Sequence, residues 1–306
     1  MADTHRTGWL IYLVFIVVVI LGGSNAVAVR FSNLELPPFW GAALRFSSAA
    51  VLFWAVVFIR RIQIPTGRAL SGILIYGALT IGVSYALLYW ALVFVSASLT
   101  MVMLALGPLL TFFFAWAHRQ ELFRWRGLIG ACVAFSGILI AVGNEIGSSI
   151  PLLPFLALVA AAAAIAEGSV LFKSFPRSDP LVVNALALTV GAGILLLISW
   201  IAGETRSLPA TTSTWISFGY LVLAGSGLLF YLYLYILQRW TASATSYTFL
   251  LFPVATIVIA SWLANEIISP RFLLGGAIVL LGVWQGAIVQ PNKSEPDASP
   301  LTPQTD

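Results

Sequence analysis

Apolar residues run almost unbroken through ten stretches of this chain: 8–29, 37–58, 70–94, 97–117, 127–144, 152–172, 180–202, 214–238, 242–264 and 272–289. Polar residues do not alternate with them. They gather in the short breaks, at Pro37-Pro38, Arg60 to Arg68, Pro151, Asp179-Pro180 and Pro270. A helix needs roughly 20 mainly apolar residues to cross a bilayer core, whereas barrel strands would alternate apolar and polar positions. The pattern predicts an all-α integral membrane protein with ten transmembrane helices. Spans three and four must part near Val95-Ser96, because residues 70–117 as one helix would be about 70 Å long, twice the core thickness.

Composition narrows the function. Of 306 residues 60% are hydrophobic and 8% charged, where an average soluble domain carries about 25% charged residues. A water-soluble enzyme, a disordered chain, a coiled coil and a nucleic-acid binder are all excluded. The first apolar stretch follows His5-Arg6, but its core of about 20 residues is longer than a signal core and no small-x-small site ends it, so it is read as a retained span. Orientation follows Lys and Arg. With the N-terminus inside, eleven of the fifteen fall on the inner side, three (Arg30, Arg206, Arg271) on the outer side, and Arg45 within span two. Both termini are therefore expected in the cytoplasm. The polar, Pro-rich segment 291–306 reads as a disordered tail.

The chain also resembles itself. At an offset of 145 residues Gly82 meets Gly227, Ala97-Ser98 meets Ala242-Ser243, and Thr100 meets Thr245. Pro108 meets Pro253, Thr111 meets Thr256, Glu121 meets Glu266, and Arg126 meets Arg271. Gly130 meets Gly275, Gly137 meets Gly282, and upstream Gly23-Ser24 meets Gly168-Ser169. About 15 of the 56 positions in 82–137 are identical without a gap, by the self-comparison that reveals repeats. Five spans per half is an odd number, so the second half enters the bilayer from the other side. The expected organisation is a five-helix repeat over 1–145, an inverted five-helix repeat over 146–290, and the tail. Inverted halves around a midplane site are an architecture of secondary transporters, although duplication for stability alone and channels share it.

Leu21-Gly22-Gly23-Ser24-Asn25, Ala43-Leu44-Arg45-Phe46, and Leu106-Gly107-Pro108 followed by Glu121 and Gly130 resemble the EamA-type pattern of the drug/metabolite transporter superfamily. Phe252-Pro253, Glu266 and Gly275 repeat it. The resemblance covers residues 8–289. It implies a ten-helix inner-membrane carrier, often an exporter of amino acids or other small metabolites. Two positions depart from the pattern: the usual aromatic before the span-one glycine is Leu21 or Gly22, and span six carries Glu167 where the family is commonly aromatic.

Ionisable groups inside a bilayer cost at least about 2.5–3.5 kcal/mol and are usually paired or functional. Arg45 lies some 12 Å, and Glu167 some 22 Å, from the outer ends of their spans at about 1.5 Å per residue. Glu167 is either a proton-coupling carboxylate, an anchor for a substrate ammonium, or a group snorkelling towards Lys173 or Arg177. Arg45 is read first as a structural tie to loop or helix-end carbonyls, with a functional role as the alternative. Asn25, with Ser24 beside it, bonds a neighbouring helix or lines a cavity. Tyr85/Tyr89 and Tyr231/Tyr235 are i,i+4 pairs in corresponding spans, each on one helix face. They are expected to border one central space, the alternative being packing or an interfacial belt. Substrate-binding candidates are thus Asn25, Tyr85, Tyr89, Glu167, Tyr231 and Tyr235. Pro108 and Pro253 are candidate hinges, since each frees a carbonyl within a span. Ser98, Thr100, Ser243 and Thr245 are expected as helix caps.

One cysteine, Cys132, and two histidines offer no Cys/His metal cluster. Ala224-Gly225-Ser226-Gly227 has no membrane-embedded histidine for a base, and no Walker loop is present. No catalytic residues, metal or cofactor are expected. Gly282-x-x-x-Gly286 is a weak signal for a homodimer. The expected function is secondary active transport, as an exporter, of small organic metabolites such as amino acids across a bacterial-type inner membrane by alternating access. The expected partners are that small-molecule substrate, the lipid bilayer and a coupling proton. A passive channel is the alternative.

Overall fold

The computed structural model describes residues 2–123, 125–142, 151–263 and 268–285. All regular elements among them are helical. In order they are α1 (Ala2–Ser32), α2 (Pro38–Ile59), α3 (Gly67–Tyr76), a π-helical segment (Gly77–Val83), α4 (Ser84–Ala91), α5 (Ala97–Leu104), α6 (Gly107–Ala117) and α7 (Trp125–Val142). Then follow α8 (Leu152–Lys173), α9 (Pro180–Ile201), α10 (Thr212–Val222), a second π-helical segment (Leu223–Leu228), α11 (Leu229–Arg239), α12 (Ala242–Leu263) and α13 (Pro270–Val283). Eight helical stretches among the described residues are long and apolar enough to cross a membrane, and Pro270–Gly282 is a shorter apolar helix. Glu266, Gly286 and the tail 291–306 lie outside the described residues.

The punctuation seen in the sequence starts the helices. Pro38, Pro180 and Pro270 occupy first-turn positions, where the missing N–H costs nothing. Asp179 and Ser269 cap the helices that follow by accepting from Leu181 N (2.8 Å) and Phe272 N (3.1 Å). The caps of α5 and α12 stand two residues before those expected. Ser96 accepts from Leu99 N and Thr241 from Ala244 N. Thr100 and Thr245 instead bond back to the carbonyls of Ser96 and Thr241. Pro108 begins α6 just after the break at Ala105-Leu106, whereas Pro253 sits inside an unbroken α12.

The two halves interlock. α1 packs on α10, α11 and α12, while α8, its counterpart in the second half, packs on α3, α4, α5 and α6. α2 pairs with α9, and α7 with α13. The glycines of the self-comparison meet at the α7–α13 crossing. A Cβ on Gly137 would stand 2.7 Å from the Gly275 carbonyl oxygen, and one on Gly282 would stand 2.7 Å from that of Gly130. Small residues let membrane helices approach closely, and here Gly282 serves contacts within the chain. Exposed Ile59, Val51, Leu197, Trp200 and Trp262 lie on the outside, as a lipid-facing surface requires.

Hydrogen bonds fasten both ends of the bundle, between the halves at one end and within the second half at the other. At one end Glu35, just beyond α1, accepts from Ala210 N and Thr211 N at the start of α10 and from the Thr211 hydroxyl. Glu204, just beyond α9, accepts from Phe39 N (3.1 Å) and Trp40 N (2.7 Å) at the start of α2. A carboxylate at a helix N-terminus satisfies amides that the helix leaves unpaired. These bonds hold the Glu35 carboxyl down at about 2. At the opposite end Lys173 caps the last turn of α11 through the carbonyls of Leu237 and Trp240, both at 2.7 Å. α1 and α8 therefore finish at opposite ends of the bundle.

Candidate functional site

The centre of the bundle contains a cavity of about 70 Å³. Asn25 of α1, Tyr76 and Thr80 of span three, and Tyr85 and Tyr89 of α4 line it from the first half. Phe230 and Tyr233 of α11 and Phe249 and Phe252 of α12 line it from the second. Among the described residues no Asp or Glu lines it. An apolar concavity with a few placed polar groups is the usual form of a small-molecule site.

Beside the cavity the π-helical segment Leu223–Leu228 widens the helix and leaves its carbonyls open to side chains from other spans. Arg45, fully buried, fills that opening. Its Nε donates to Ser226 Oγ (2.7 Å), Nη2 to the Gly225 carbonyl (2.8 Å) and Nη1 to the Tyr89 hydroxyl (3.1 Å). Asn25 Nδ2 donates to the same Gly225 carbonyl (3.2 Å). Aromatic rings complete the surround, with the guanidinium carbon 4.8 Å from the ring centre of Phe46, 5.5 Å from that of Tyr85 and 6.0 Å from that of Phe230. Among the described residues no carboxylate pairs with Arg45. The sequence points to loop or helix-end carbonyls; Arg45 instead reaches one carbonyl, Gly225, inside the π-helical segment, and two hydroxyls. A Cβ at 225 would stand 2.6 Å from Asn25 Oδ1, so any larger residue there would displace the Asn25 side chain. The first π-helical segment, Gly77–Val83, falls at the corresponding place in the other half and carries Thr80 and Ile81 to the cavity.

Asn25, Tyr85 and Tyr89 come together, and the other candidates stand elsewhere. Tyr231 lines a separate groove with Phe53, Arg60 and Leu181. Tyr235 lies under the Arg239 guanidinium, whose carbon is 3.4 Å from its ring centre. Span eight presents Phe230 and Tyr233 to the cavity instead. The offset of 145 pairs Tyr85 with Phe230, so the repeat itself holds the signal that helix-face spacing missed. Glu167 is not a lining residue. Its Oε1 is 2.7 Å from His118 Nε2, at the end of α6, and not engaged with Lys173 or Arg177. Close by, Glu121 accepts from Ser243 Oγ (2.7 Å), joining α6 to α12. Ser24 shares a hydrogen bond with the Tyr220 hydroxyl and so ties span one to span eight.

Spans of this length arranged as two interlocked halves around one cavity define a multi-pass membrane protein of the transporter class. The model of the EamA-like transporter family matches residues 8–143 and again 152–285, and the chain belongs to that family. It is similar to the uncharacterized inner membrane transporter YedA of Escherichia coli (strain K12), with 25% identity over 272 residues, 86% of each chain. It is 30% identical over 229 residues to a probable terminal-alkyne amino-acid exporter of Streptantibioticus cattleyicolor, covering 72% of this chain and 73% of that one. A solved crystal structure with 19% sequence identity matches with a TM-score of 0.66, over 90% of this chain and 96% of its own, which shows the same fold.

Proposed function

We propose that this protein is a secondary active exporter of small organic metabolites such as amino acids, working by alternating access in a bacterial-type inner membrane. The observation that carries this reading is the central cavity walled by both halves. A solute held there touches both interlocked repeats, so rocking one against the other would open the same site first to one side and then to the other. α7 and α13 are read as spans five and ten, giving inverted repeats over 1–145 and 146–290 with both termini cytoplasmic. Asn25, Tyr85 and Tyr89, joined by Phe230 and Tyr233, are assigned to the substrate. Glu167 and His118 are assigned to a contact that closes the basic end. The 30% identical relative named as an amino-acid exporter supports the substrate class.

The test is tracer efflux and uptake of apolar amino acids in proteoliposomes, with and without a pH gradient. Saturable flux that a pH gradient drives uphill is expected. Flux that stays linear in concentration would mark a pore and overturn the reading.

A further inference from the structure

We propose that the groove between spans two, seven and eight holds one acyl chain of an anionic phospholipid, with its phosphate on Arg60. The groove has a volume of about 400 Å³ and opens on the outside of the bundle, where its rim residue Leu52 is exposed. Leu52, Val56 and Arg60 line it from span two, Leu181 from the start of α9, and Gly227 and Tyr231 from span eight. From Leu52 to Arg60 it follows span two for about 12 Å, within the roughly 15 Å of one leaflet's hydrocarbon. The repeat explains why the space is open. Gly227 corresponds to Gly82, where a Cβ would stand 2.7 Å from Cδ1 of Ile194. The residue of α2 at the place of Ile194 is Ala49. Among the described residues a Cβ on Gly227 would meet only the Val222 carbonyl of its own span, at 3.3 Å. The place that a side chain fills in one half is thus left vacant in the other.

Its chemistry selects the occupant. The wall is apolar except for Arg60 at one end and the Tyr231 phenol. Arg60 is exposed at the end of α2, and among the described residues its guanidinium has no hydrogen-bond or ion-pair partner. Arg61, Arg68, Arg177 and Arg239 surround it at the same end of the bundle. Asp179, the carboxylate next to Leu181, already accepts from the Leu181 amide as the cap of α9. This end of the groove is therefore positive, and a guanidinium pairs with phosphate through charge-assisted, bidentate hydrogen bonds. The apolar length facing the bilayer needs a hydrocarbon partner, since unfilled space forfeits dispersion contacts. A tyrosine near the charged end suits the headgroup level. An acyl chain in the groove packs against Gly227, two residues from the Gly225 carbonyl that holds Arg45, and so braces the central knot from outside.

The experiment is native mass spectrometry of the full chain in detergent, titrated with dioleoyl phosphatidylglycerol or dioleoyl phosphatidylcholine. The two lipids share their chains and phosphate and differ in net charge. One phosphatidylglycerol adduct is expected to persist where phosphatidylcholine adducts have been lost. Arg60→Gln should weaken that adduct about five-fold, the effect of one basic residue on an anionic lipid. Arg61→Gln, at the next residue and outside the lining, should leave it within about two-fold, as an exposed charge without a fixed partner does. Both arginines are exposed, so neither change disturbs the packing. Val56→Trp fills the groove and should remove the adduct with Arg60 intact. Equal persistence of the two lipids, equal losses in Arg60→Gln and Arg61→Gln, or an undiminished adduct in Val56→Trp would overturn the proposal. A lipid-free dimer that Val56→Trp dissociates would also overturn it, by giving the groove to a second copy. Binding is read without flux, so the carrier reading stands or falls separately.

Discussion

Gly225→Ala is the most exacting test of the central polar knot. The added methyl would stand 2.6 Å from Asn25 Oδ1 and 3.2 Å from Arg45 Nη2. Both neighbours are short of freedom, since Arg45 is pinned by three hydrogen bonds and Asn25 by one to the Gly225 carbonyl. Overpacking of this kind costs about 1–3 kcal/mol. Displacing Asn25 forfeits an interhelical bond worth about 0.6–1.7 kcal/mol in a membrane protein. Alanine's preference for a helix returns up to about 1 kcal/mol, which leaves a net loss of roughly 1–4 kcal/mol. Gly219→Ala in the same span is the control, because a Cβ there meets nothing within 4 Å. Thermal unfolding of the purified protein in detergent should show a Tm several degrees lower for Gly225→Ala and no loss for Gly219→Ala. In an Asn25→Ala background the nearest obstacle is gone, so adding Gly225→Ala should cost less than about 1 kcal/mol, a coupling that neighbouring sites show and distant ones do not. Equal Tm values for the two glycine variants, or full additivity with Asn25→Ala, would refute the packing argument.

Three further outcomes are expected. Glu35 has its carboxyl lowered from 4.5 to about 2 by the Thr211 hydroxyl and the Ala210 and Thr211 amides. Its contribution to stability is complete above about 4.5 and disappears as pH falls through about 2, so unfolding between pH 6 and 3 should be steeper in pH for the wild type than for Glu35→Gln; parallel curves would remove Glu35 as a cap. Glu167→Gln should leave apparent substrate affinity within about two-fold of wild type in concentration-dependent flux, because Glu167 does not line the cavity; a loss of about ten-fold, or 1.4 kcal/mol, would put it in the substrate's path. Gly137→Ala should destabilise by about 1–3 kcal/mol through its 2.7 Å approach to the Gly275 carbonyl oxygen, while Gly276→Ala, which meets nothing, should not; equal melting of the two would argue against the α7–α13 crossing.

The helices were legible because a bilayer leaves the chain little choice. Backbone groups in hydrocarbon must be satisfied within the segment, so length and apolarity suffice to mark a span. The offset of 145 was legible too, and Gly130, Gly137, Gly275 and Gly282, which it aligns, meet at one crossing. At the site, Arg45, Asn25, Tyr85 and Tyr89 stood out as polar groups in apolar runs. The π-helical segments did not, because a widened turn changes no residue type; Leu223–Leu228 shows only in its accepted hydrogen bonds. The rotation of span eight was hidden for a related reason. An i,i+4 spacing groups Tyr231 with Tyr235 but does not say which way their face points, and Phe230 and Tyr233 point inward instead. Glu167 took its partner from α6, far in sequence, where proximity along the chain suggested Lys173 or Arg177.

Counterflow in proteoliposomes tests the central claim, a carrier site shared by two rocking halves, most directly. Vesicles are loaded with unlabelled leucine and diluted into a trace of labelled leucine, and the label inside is followed with time. A single site that faces one side at a time predicts transient accumulation of label above the outside level, and uptake faster than into empty vesicles. Label that rises only to equality, at a rate indifferent to the internal leucine, would contradict it.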